Sequence, residues 1–544
     1  MKATQSIRSL NIRIPEFFSW DKIIRVFCKY ETVITTVILS AIALYYFFYY
    51  LQSGLGLSYN DARSHLDIGR RVVEGLKTGV AQLGSVWLPL GHVLMVPLIW
   101  NDWMWHSGFA GAVWNMLSFV GTGVIISKYL EKLNVGIIGR LMGVFVFAAN
   151  INVLYLQATA MTEPLLLFTM TAGCYYLMLW HDKDDIINLV KSAFWIMLAT
   201  LTRYDGWFLL AFATGLLAIQ VWRKHGLRRV DGVSVLFLTL AALGVVIWLG
   251  WNQLIFGDAL YFALGPFSAH AQQLVMEEAG SLPTKGNLLL SIKVYFYALL
   301  YNSYTYPVIL AAIGLAVLIR DKTLSLSERI ASSSLLSPLF FNILALVLGF
   351  SVIFVQGISG DTWFNVRYGV MLAPTIAIFV GYLIDRAKSF QPLLIGSLLF
   401  VLFFAFGNHD SVSIDDARVG SSQKNVSEVS DYLAKYAKDT PGFILISAAS
   451  HDAIIFSSGL PMKKFIHEGT GKYWEVGTAL PDRWARWIVM RTYDDQDLTW
   501  KAVSRVPGFA YYHKVAAYPF ADIYELDENM LENLNTEATI KNNK

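Results

Sequence analysis

The feature that most constrains this chain is a succession of long apolar segments separated by short basic loops. A helix needs about 20 apolar residues to cross the roughly 30 Å hydrocarbon core of a membrane. Segments of this kind occupy 33–52, 108–127, 136–156, 161–180, 187–202, 206–222, 231–255, 291–319, 335–356, 368–385 and 391–407. The chain is 55% hydrophobic and 15% charged, whereas soluble domains are about 25% charged. The sequence therefore predicts an α-helical polytopic membrane protein with about 11 transmembrane helices.

The charges of the loops predict the orientation of these helices. Basic residues fall in alternate short loops: Lys128, Lys132 and Arg140; Lys183 and Lys191; Arg223 to Arg229; Arg320, Lys322 and Arg329; Arg386 and Lys388. Cytoplasmic loops carry such an excess of Lys and Arg. We therefore expect a multi-pass protein of the cell membrane with a cytoplasmic N-terminus. An odd number of crossings then places everything after 407 on the extracytoplasmic side.

Four regions of different character follow from this topology. Residues 1–32 are basic and amphipathic, which is typical of a cytoplasmic segment lying on the membrane. Residues 33–407 form the transmembrane module, and its long first outer loop covers 53–107. Residues 408–530 predict a small extracytoplasmic α/β domain, and 531–544 a polar tail. In the α/β domain VSEVSDYLAKYA predicts a helix, and FILISAA, AIIFSS, RWIVMR and FAYYHKVAAY predict strands.

The first outer loop begins with a helical pattern. In YNDARSHLDIGRRVVEGL, Asp61 and His65 share one helix face, with Asn60 or Ser58 as the expected N-cap. The later stretch 86–105 is apolar but interrupted by proline and glycine, so we expect a re-entrant or interface-lying element. A true crossing there would reverse every later loop and break the charge bias.

Charge and cysteine content exclude several classes of function. The formal net charge of +3 is too small to indicate nucleic-acid binding. The chain has two cysteines, Cys28 and Cys174, which give neither a disulfide framework nor a thiolate metal cluster.

Four polar clusters fall at the predicted outer ends of helices. They are Asp61 with His65, Glu163 in MTEP, Arg203–Tyr204–Asp205 in TRYDGW, and Arg367–Tyr368. A helix bundle can gather such ends around one cavity. Carboxylates and guanidinium groups in one cavity suit transfer from a phosphate-linked donor, because the acid takes a proton and the cations stabilise the departing phosphate.

Each cluster also has a structural interpretation. Asp61 can be a solvated interfacial acid, and Glu163 can act on the helix dipole with Thr162 as the cap. Arg203 can pair with Asp205, and Arg367 can be an interfacial anchor.

Histidine ligation of a metal is a further alternative, and a divalent cation is left open as a cofactor. His65, His92, His106 and His270 could join Asp61 or Glu163, although no spacing specifies such a site. We expect the tail histidines, His451, His467 and His513, to belong to the fold of their domain.

The motifs YNDA-x-x-H, TEP and TRYDGW together resemble the GT-C superfamily of polyprenyl-phosphate-sugar-dependent glycosyltransferases. The likeness covers about 33–385 and is strongest to the branch of protein O-mannosyltransferases and the aminoarabinose transferase of lipid A. It implies an active site on the extracytoplasmic face, with Asp61 as the first-loop catalytic acid and Glu163 as the second acid. The chain has Asp61–Ala62 where eukaryotic protein mannosyltransferases have a tandem Asp-Glu pair, so the resemblance implies neither mannose nor a protein acceptor.

The resulting hypothesis is a glycosyltransferase that moves a sugar from a polyprenyl phosphate to an acceptor hydroxyl with inversion. Asp61 would be the general base, Arg203 and Arg367 would bind the phosphate, and Glu163 would position the acceptor or hold a metal. His65, Tyr204, Asp205 and Tyr368 would complete the site. The GPFSAHAQQLVMEEAG loop would close over the donor, and the tail domain would recognise a glycan, lipid or protein acceptor.

Two other classes of protein remain as alternatives. A lipid-linked-sugar transporter or flippase would also need many crossings, but the spans hold few ionisable residues and no internal repeat is visible. A receptor or assembly factor would account for the tail domain but not for the acids in the outer loops. The identity of the sugar and the class of the acceptor are not written in the sequence.

Overall fold

A computed structural model describes residues 20–266, 268–409, 411–420 and 426–540, with side chains omitted for 20–28 and 450. Most of the predicted cytoplasmic segment 1–32 therefore lies outside the described residues, as does the end of the polar tail.

Helices occupy all or most of every apolar segment predicted to cross the membrane, which confirms the α-helical polytopic class. The longest exception within them is 349–356, the end of the predicted segment 335–356, which is not helical. In chain order the helices of the membrane module are α1 Trp20–Gln52, α2 Asn60–Val73, α3 Leu90–Ile99, α4 Asp102–His106, α5 Phe109–Lys132, α6 Ile137–Ala148, α7 Ile151–Leu156, α8 Glu163–Lys183, α9 Ile186–Thr200, α10 Asp205–His225, α11 Val230–Ala241, α12 Leu243–Phe256, α13 Tyr261–Leu264, α14 Ala269–Glu278, α15 Leu288–Ser303, α16 Thr305–Arg320, α17 Leu326–Ser332, α18 Ser337–Leu348, α19 Ala373–Arg386 and α20 Gln391–Gly407.

Fewer of these helices than the predicted eleven meet the length and hydropathy of a membrane span. Within the described ranges, 6 helices are long and apolar enough to cross a membrane, or up to 8 if each bent pair is one span. The predicted span 291–319 is such a pair: α15 and α16 meet at an angle of 108°, and Tyr304 between them has a φ of +61°. The count of eleven stays a prediction.

The first outer loop is helical, as its charge pattern predicts. Helix α2 begins at Asn60, and its N-cap is Tyr59, which makes no side-chain capping bond. The predicted caps, Asn60 and Ser58, are therefore wrong. Helix α3 has 10 residues, or about 15 Å, half the thickness of the hydrocarbon core. That length agrees with an element that does not cross.

The part of the chain after 407 adds helices and a small mixed sheet. Its helices are α21 Val412–Val419, α22 Ser427–Tyr436, α23 Ala448–Ser457, α24 Lys472–Ala479, α25 Pro481–Trp484 and α26 Leu498–Val503. Its strands are β1 Phe443–Ile446, β2 Phe465–Ile466, β3 Ala485–Met490, β4 Tyr512–Ala517 and β5 Asp522–Leu526, in the order β2-β1-β3-β5-β4 among the described residues. β1 pairs in parallel with β2 and β3, and β5 pairs antiparallel with β3 and β4.

One predicted strand in this region is wrong. AIIFSS lies on α23, because a short buried apolar run suits a buried helix as well as a strand. The other three runs contain β1, β3 and β4, whereas β2 and β5 were not predicted.

The tail is not an isolated unit, because one of its two apolar clusters, which includes Ile444 and Val489, is continuous with the core of the membrane module. The other cluster, which includes Leu445 and Ile488, is separate. Helix α23 packs on α2, and α21 packs on α7 and on the 3-10 turn Val366–Leu372. The side-chain amide of Gln82 donates to the carbonyl of Gly469 over 2.8 Å. These contacts hold the first outer loop between the membrane helices and the sheet.

Candidate functional site

A cavity of about 330 Å³ lies where α2, α10, α14, α18 and the turn Val366–Leu372 come together. Of the eight residues predicted from sequence to form the site, seven line it: Asp61, His65, Arg203, Tyr204, Asp205, Arg367 and Tyr368. The structure thus gathers residues that are up to 307 positions apart in the chain, by the difference between 368 and 61. The eighth, Glu163, lies behind the cavity wall.

Asp61 presents its carboxylate at the cavity and is held by Arg367. The Nη2 of Arg367 lies 2.6 Å from Oδ2 of Asp61. The side chain of Asp61 is 36% exposed, whereas that of Arg367 is only 3% exposed. An accessible carboxylate is therefore oriented by a buried cation.

Glu163 is fully buried and joins the two arginines. Its Oε1 accepts from Nη1 of Arg203 and from Nε of Arg367, each over 3.1 Å. It is the first residue of α8, but the N-cap Thr162 makes no capping bond with its side chain. The Thr162 hydroxyl oxygen instead accepts from Nη1 of Arg203 over 3.1 Å. Thr162 therefore occupies the predicted N-cap position, but its side chain does not cap the helix.

Arg203 makes the ion pair with Asp205 that the structural interpretation predicts, over 3.3 Å. Arg203 also contacts Glu163, so the ion pair with Asp205 is not its single contact with an acid. The guanidinium of Arg203 lies 4.7 Å from the ring centre of Tyr368. The guanidinium of Arg367 lies 5.3 Å from the same ring centre. One aromatic ring thus contacts both guanidinium groups.

Tyr204 closes the wall beside this cluster. Its hydroxyl donates to the carbonyl of Val86 over 3.0 Å, and its ring stacks on Phe262 at 5.7 Å. These contacts tie the TRYDGW segment to the first outer loop.

His65 is a neutral side chain in the cavity wall. Its Nδ1 is 2.8 Å from Nε2 of His92, and its ring packs on Trp87 at 4.4 Å. Burial, and then the positive charges of Arg203 and Arg367, lower the pKa of His65 to about 3. The imidazole is therefore uncharged at neutral pH.

The donor set does not fit a metal held by several protein ligands. Among the described residues, no three His, Cys, Asp or Glu side chains are close enough to share an ion. Asp61 and Glu163 both face arginine instead. His65 and His92 meet each other, while His106 bonds to the backbone of Asp102.

The sequence did not single out two further members of the cluster, Tyr59 and Asp416. The Tyr59 hydroxyl lies 3.1 Å from Oδ2 of Asp416, and Nη1 of Arg367 lies 3.7 Å from the same oxygen. Asp416 is fully buried. A sequence signal for Asp416 was available. Asp416 belongs to an acidic pair in SIDDAR shortly after the last apolar segment, and Asp61 likewise lies shortly after the first apolar segment.

Comparison with solved structures identifies the fold. ArnT from Cupriavidus metallidurans, in its crystal structure bound to undecaprenyl phosphate, aligns with a TM-score of 0.54 over 91% of this chain and 98% of that chain, at 13% identity. The apo state of the same enzyme aligns with a TM-score of 0.53 at 14% identity and the same coverage. No family model matches the sequence, and neither does any curated protein.

The chain is thus a multi-pass membrane protein with the GT-C fold. The resemblance read from YNDA-x-x-H, TEP and TRYDGW is confirmed at the level of the fold. The alignment with ArnT extends over nearly the whole length of that enzyme.

Proposed function

We propose that this protein is a glycosyltransferase that takes a sugar from a polyprenyl-phosphate carrier and transfers it to an acceptor hydroxyl. The observation that carries the proposal is the accessible carboxylate of Asp61, held in one cavity beside the buried guanidinium of Arg367 and the partly buried guanidinium of Arg203. The fold supports it, because ArnT with this fold binds undecaprenyl phosphate. The charge bias of the loops supports a reaction on the extracytoplasmic face.

The phosphate of the donor would bind to Arg203 and Arg367. Planar guanidinium groups suit phosphate oxygens, and burial strengthens the interaction. Arg367 now contacts Asp61 through Nη2. A phosphate that takes over this contact would release Asp61 toward the acceptor, so donor binding would prepare the base.

The chemistry then needs one proton transfer and one displacement. The acceptor hydroxyl oxygen attacks the anomeric carbon while Asp61 takes its proton. The bond from that carbon to the phosphate oxygen breaks, and the polyprenyl phosphate leaves with the electron pair, stabilised by the arginines. A single displacement of this kind inverts the anomeric centre.

Glu163 would act through the arginines. The roles predicted for it from sequence, positioning the acceptor or holding a metal, need an accessible carboxylate, whereas this side chain is fully buried. Its Oε1 contacts both guanidinium groups. We therefore propose that Glu163 positions the phosphate-binding pair.

The test is donor consumption by the full-length protein in lipid, with a radiolabelled polyprenyl-phosphate hexose and a membrane extract as the source of acceptor. We expect Asp61→Asn to lower the rate by at least about 100-fold, because general bases contribute 10²- to 10⁴-fold. The matched control is Asp361→Asn, an exposed acid of another outer loop, which should leave the rate within about twofold. Equal consumption by Asp61→Asn and wild type would remove Asp61 from the mechanism. Transfer of intact labelled lipid across the bilayer without consumption would show a flippase instead.

A further inference from the structure

A second cavity, a groove beside α16, lies at the other end of the membrane module from the first cavity. The turn Val366–Leu372, which lines the first cavity, leads directly into α19. Helix α19 has 14 residues, or about 21 Å, and its last residue lines the groove. The charges of the loops predict that this end of the module is cytoplasmic. The groove has a volume of about 370 Å³ and is lined by Ile313, Ala316, Val317, Arg320, Asp321 and Arg386.

One wall of the groove is an apolar stripe on α16. The lining residues at positions 313, 316, 317 and 320 lie on one face of this helix, because residues three and four apart are neighbours on a helix surface. Ile313 is 47% exposed, and Ile309, one turn before it on the same face, is 50% exposed. Lipid tails are as apolar as these side chains, so we expect acyl chains to cover them. The stripe therefore leads from the bilayer core to Arg320.

The acids at this end of the module are already paired. Arg386 bonds through Nε to Oδ2 of Asp321 over 3.0 Å and through Nη1 to Oδ2 of Asp385 over 2.5 Å. The Tyr382 hydroxyl also donates to Oδ2 of Asp321 over 2.5 Å. Asp321 is the one acid among the described lining residues of the groove. Its charge is thus neutralised by Arg386.

Arg320 is the cation of the groove whose charge is not neutralised. It is exposed, and within the described ranges its guanidinium has no acid partner, because both acids beside it bind Arg386. Lys322 and Lys388 are also exposed, each two residues beyond a lining arginine. An arginine at the end of a membrane helix can simply extend toward water. The apolar stripe that leads to Arg320 indicates more, since the groove offers a surface for a chain beside a charge for a head group.

The chemistry of the groove matches an anionic phospholipid. Phosphate oxygens pair well with a guanidinium group, and basic pockets between membrane helices on the cytoplasmic side bind anionic head groups. A choline head group would bring a further cation close to Arg320 and Arg386, whereas a glycerol head group brings none. The acyl chain of the same lipid would cover the apolar stripe.

We propose that the groove between α16 and α19 binds one anionic phospholipid, whose phosphate pairs with Arg320 and whose acyl chain covers the apolar stripe. The acids and arginine of this end also hold the loop after α5: Asp385 accepts from the Gly136 N–H over 2.7 Å, and Nη2 of Arg386 donates to the carbonyl of Leu133 over 3.4 Å. A ligand that binds only the folded protein stabilises it. The lipid therefore stabilises the ends of three membrane helices, whether or not the proposed function holds.

Thermal melts of the full-length protein in a neutral detergent test the inference. Phosphatidylglycerol, phosphatidylcholine and glycerol 3-phosphate are titrated separately, and tryptophan fluorescence records the melting temperature. We expect phosphatidylglycerol to raise the melting temperature of wild type saturably, with about tenfold higher affinity than phosphatidylcholine. Arg320→Gln should weaken the affinity for phosphatidylglycerol about tenfold, because a charge-assisted hydrogen bond is lost. The matched control, Arg228→Gln, changes an exposed arginine of another basic loop and should leave the affinity within about twofold.

A second variant, Ala316→Phe, keeps Arg320 but fills the groove. It should also weaken the affinity for phosphatidylglycerol about tenfold, because the phenyl ring occupies the wall that the acyl chain needs. The variant keeps the inference testable if Arg320→Gln does not fold.

Several outcomes overturn the inference. Equal affinities for phosphatidylglycerol and phosphatidylcholine would do so, as would wild-type affinity in Arg320→Gln or in Ala316→Phe. Equal losses in Arg320→Gln and Arg228→Gln would show attraction between charges without a site. Glycerol 3-phosphate that stabilises as well as the lipid would show an anion site that needs no acyl chain. An effect of phosphatidylglycerol that Arg367→Lys removes and Arg320→Gln leaves intact would place the lipid in the first cavity.

Discussion

Arg367 connects one acid of the cavity, Asp61, to two buried acids that do not line it, Glu163 and Asp416. Its guanidinium approaches Asp61 at 2.6 Å, Glu163 at 3.1 Å and Asp416 at 3.7 Å. The residue is buried, and the Tyr59 ring covers it at 4.7 Å. A buried charge that touches three acids through different nitrogens orients each of them. The orientation of the accessible Asp61 therefore depends on the buried contacts that Arg367 makes with Glu163 and Asp416.

We predict that Arg367→Lys lowers the rate of donor consumption about 10- to 100-fold, even though the charge is kept. A lysine ammonium is a point charge and cannot hold three acids in the geometry of the planar guanidinium. Donor consumption and binding of bare undecaprenyl phosphate should both be measured. Arg418→Lys, at an exposed position on α21, is the control. An Arg367→Lys protein with wild-type rate would show that charge alone suffices.

For single residues, the sequence predicted which side chains line the cavity better than it predicted the contacts that those side chains make. Asp61, Arg203 and Arg367 could be found because polar residues at the outer ends of apolar spans are few and share one face. The burial of Glu163 could not be predicted, since it results from two arginines supplied by distant segments. Asp416 was missed for the same reason: its partner Arg367 lies before the last span and Asp416 after it.

Among the elements, α21 links the end of the membrane module to the site. Ser411 and Ser413 fasten it: the Oδ1 of Asn152 accepts from the Ser411 hydroxyl over 3.0 Å and from the Ser413 backbone N–H over 2.9 Å. The Ser413 hydroxyl donates to Oδ1 of Asn302 over 3.0 Å. This buried network belongs to the membrane helices. The predicted domain boundary at 408 remains untested, but α21 packs as part of the membrane module.

We predict that Tyr59→Phe lowers the free energy of unfolding by about 2 kcal/mol, because the change leaves buried acceptors without a donor. The Tyr59 hydroxyl bonds to the carbonyl of Ser413 over 2.8 Å and lies 3.1 Å from Asp416. Denaturant unfolding in mixed micelles would measure the change. Tyr45→Phe is the control, because Tyr45 is 63% exposed and should change stability by less than about 0.5 kcal/mol. Equal effects of the two variants would mean that the Tyr59 hydroxyl does not fasten α21.

Secondary structure could be predicted from the sequence where apolar residues recur in long segments. The prediction failed where tertiary contacts determine whether a short apolar run forms a helix or a strand. The apolar segments of the membrane module gave their helices directly, because a spanning chain has to satisfy its backbone within each segment. The prediction of a strand at AIIFSS failed because the apolar residues of α23 are buried by contacts with α2 and α22. The break at Tyr304 had a signal that the sequence analysis did not use: Pro307 lies in the first turn of α16, where a proline is tolerated, whereas in the middle of one continuous helix it would break the hydrogen-bond ladder.

The whole molecule joins a membrane module to an outer sheet through the first outer loop. Helix α2 carries Asp61 to the cavity on one side and packs on α23 on the other. Buried neutral histidines stand on both sides of this junction: His65 in the cavity wall and His467 in the tail. Burial and the charge of Arg71 lower the pKa of His467 to about 3. We therefore expect acid to destabilise the membrane module and the tail together.

The sign of this response follows from the two histidines. An unfolded histidine has a pKa of about 6.5 and takes up a proton below that pH, whereas the folded groups stay neutral until about pH 3. Their contribution to stability is thus complete above pH 6.5 and is lost as the pH falls toward 3. For His467 alone the loss reaches about 2 kcal/mol at pH 5. Protonation would also remove the acceptor that its Nδ1 offers to the Gly469 N–H at 3.1 Å.

We therefore predict that the melting temperature of wild type falls between pH 7 and pH 5, and that His467→Gln falls by clearly less over the same interval. The variant lacks the group that binds a proton only on unfolding, so its stability loses that part of the pH dependence. Tryptophan fluorescence melts in nanodiscs would record both curves. His513→Gln is the matched control, because His513 is an exposed histidine of the same sheet, and it should follow wild type. If the melting temperatures of wild type and His467→Gln fell in parallel, folded His467 would take up its proton over the same pH range as an unfolded histidine, which would contradict the prediction. The acid sensitivity would then have to come from other groups at the junction between α2 and the tail.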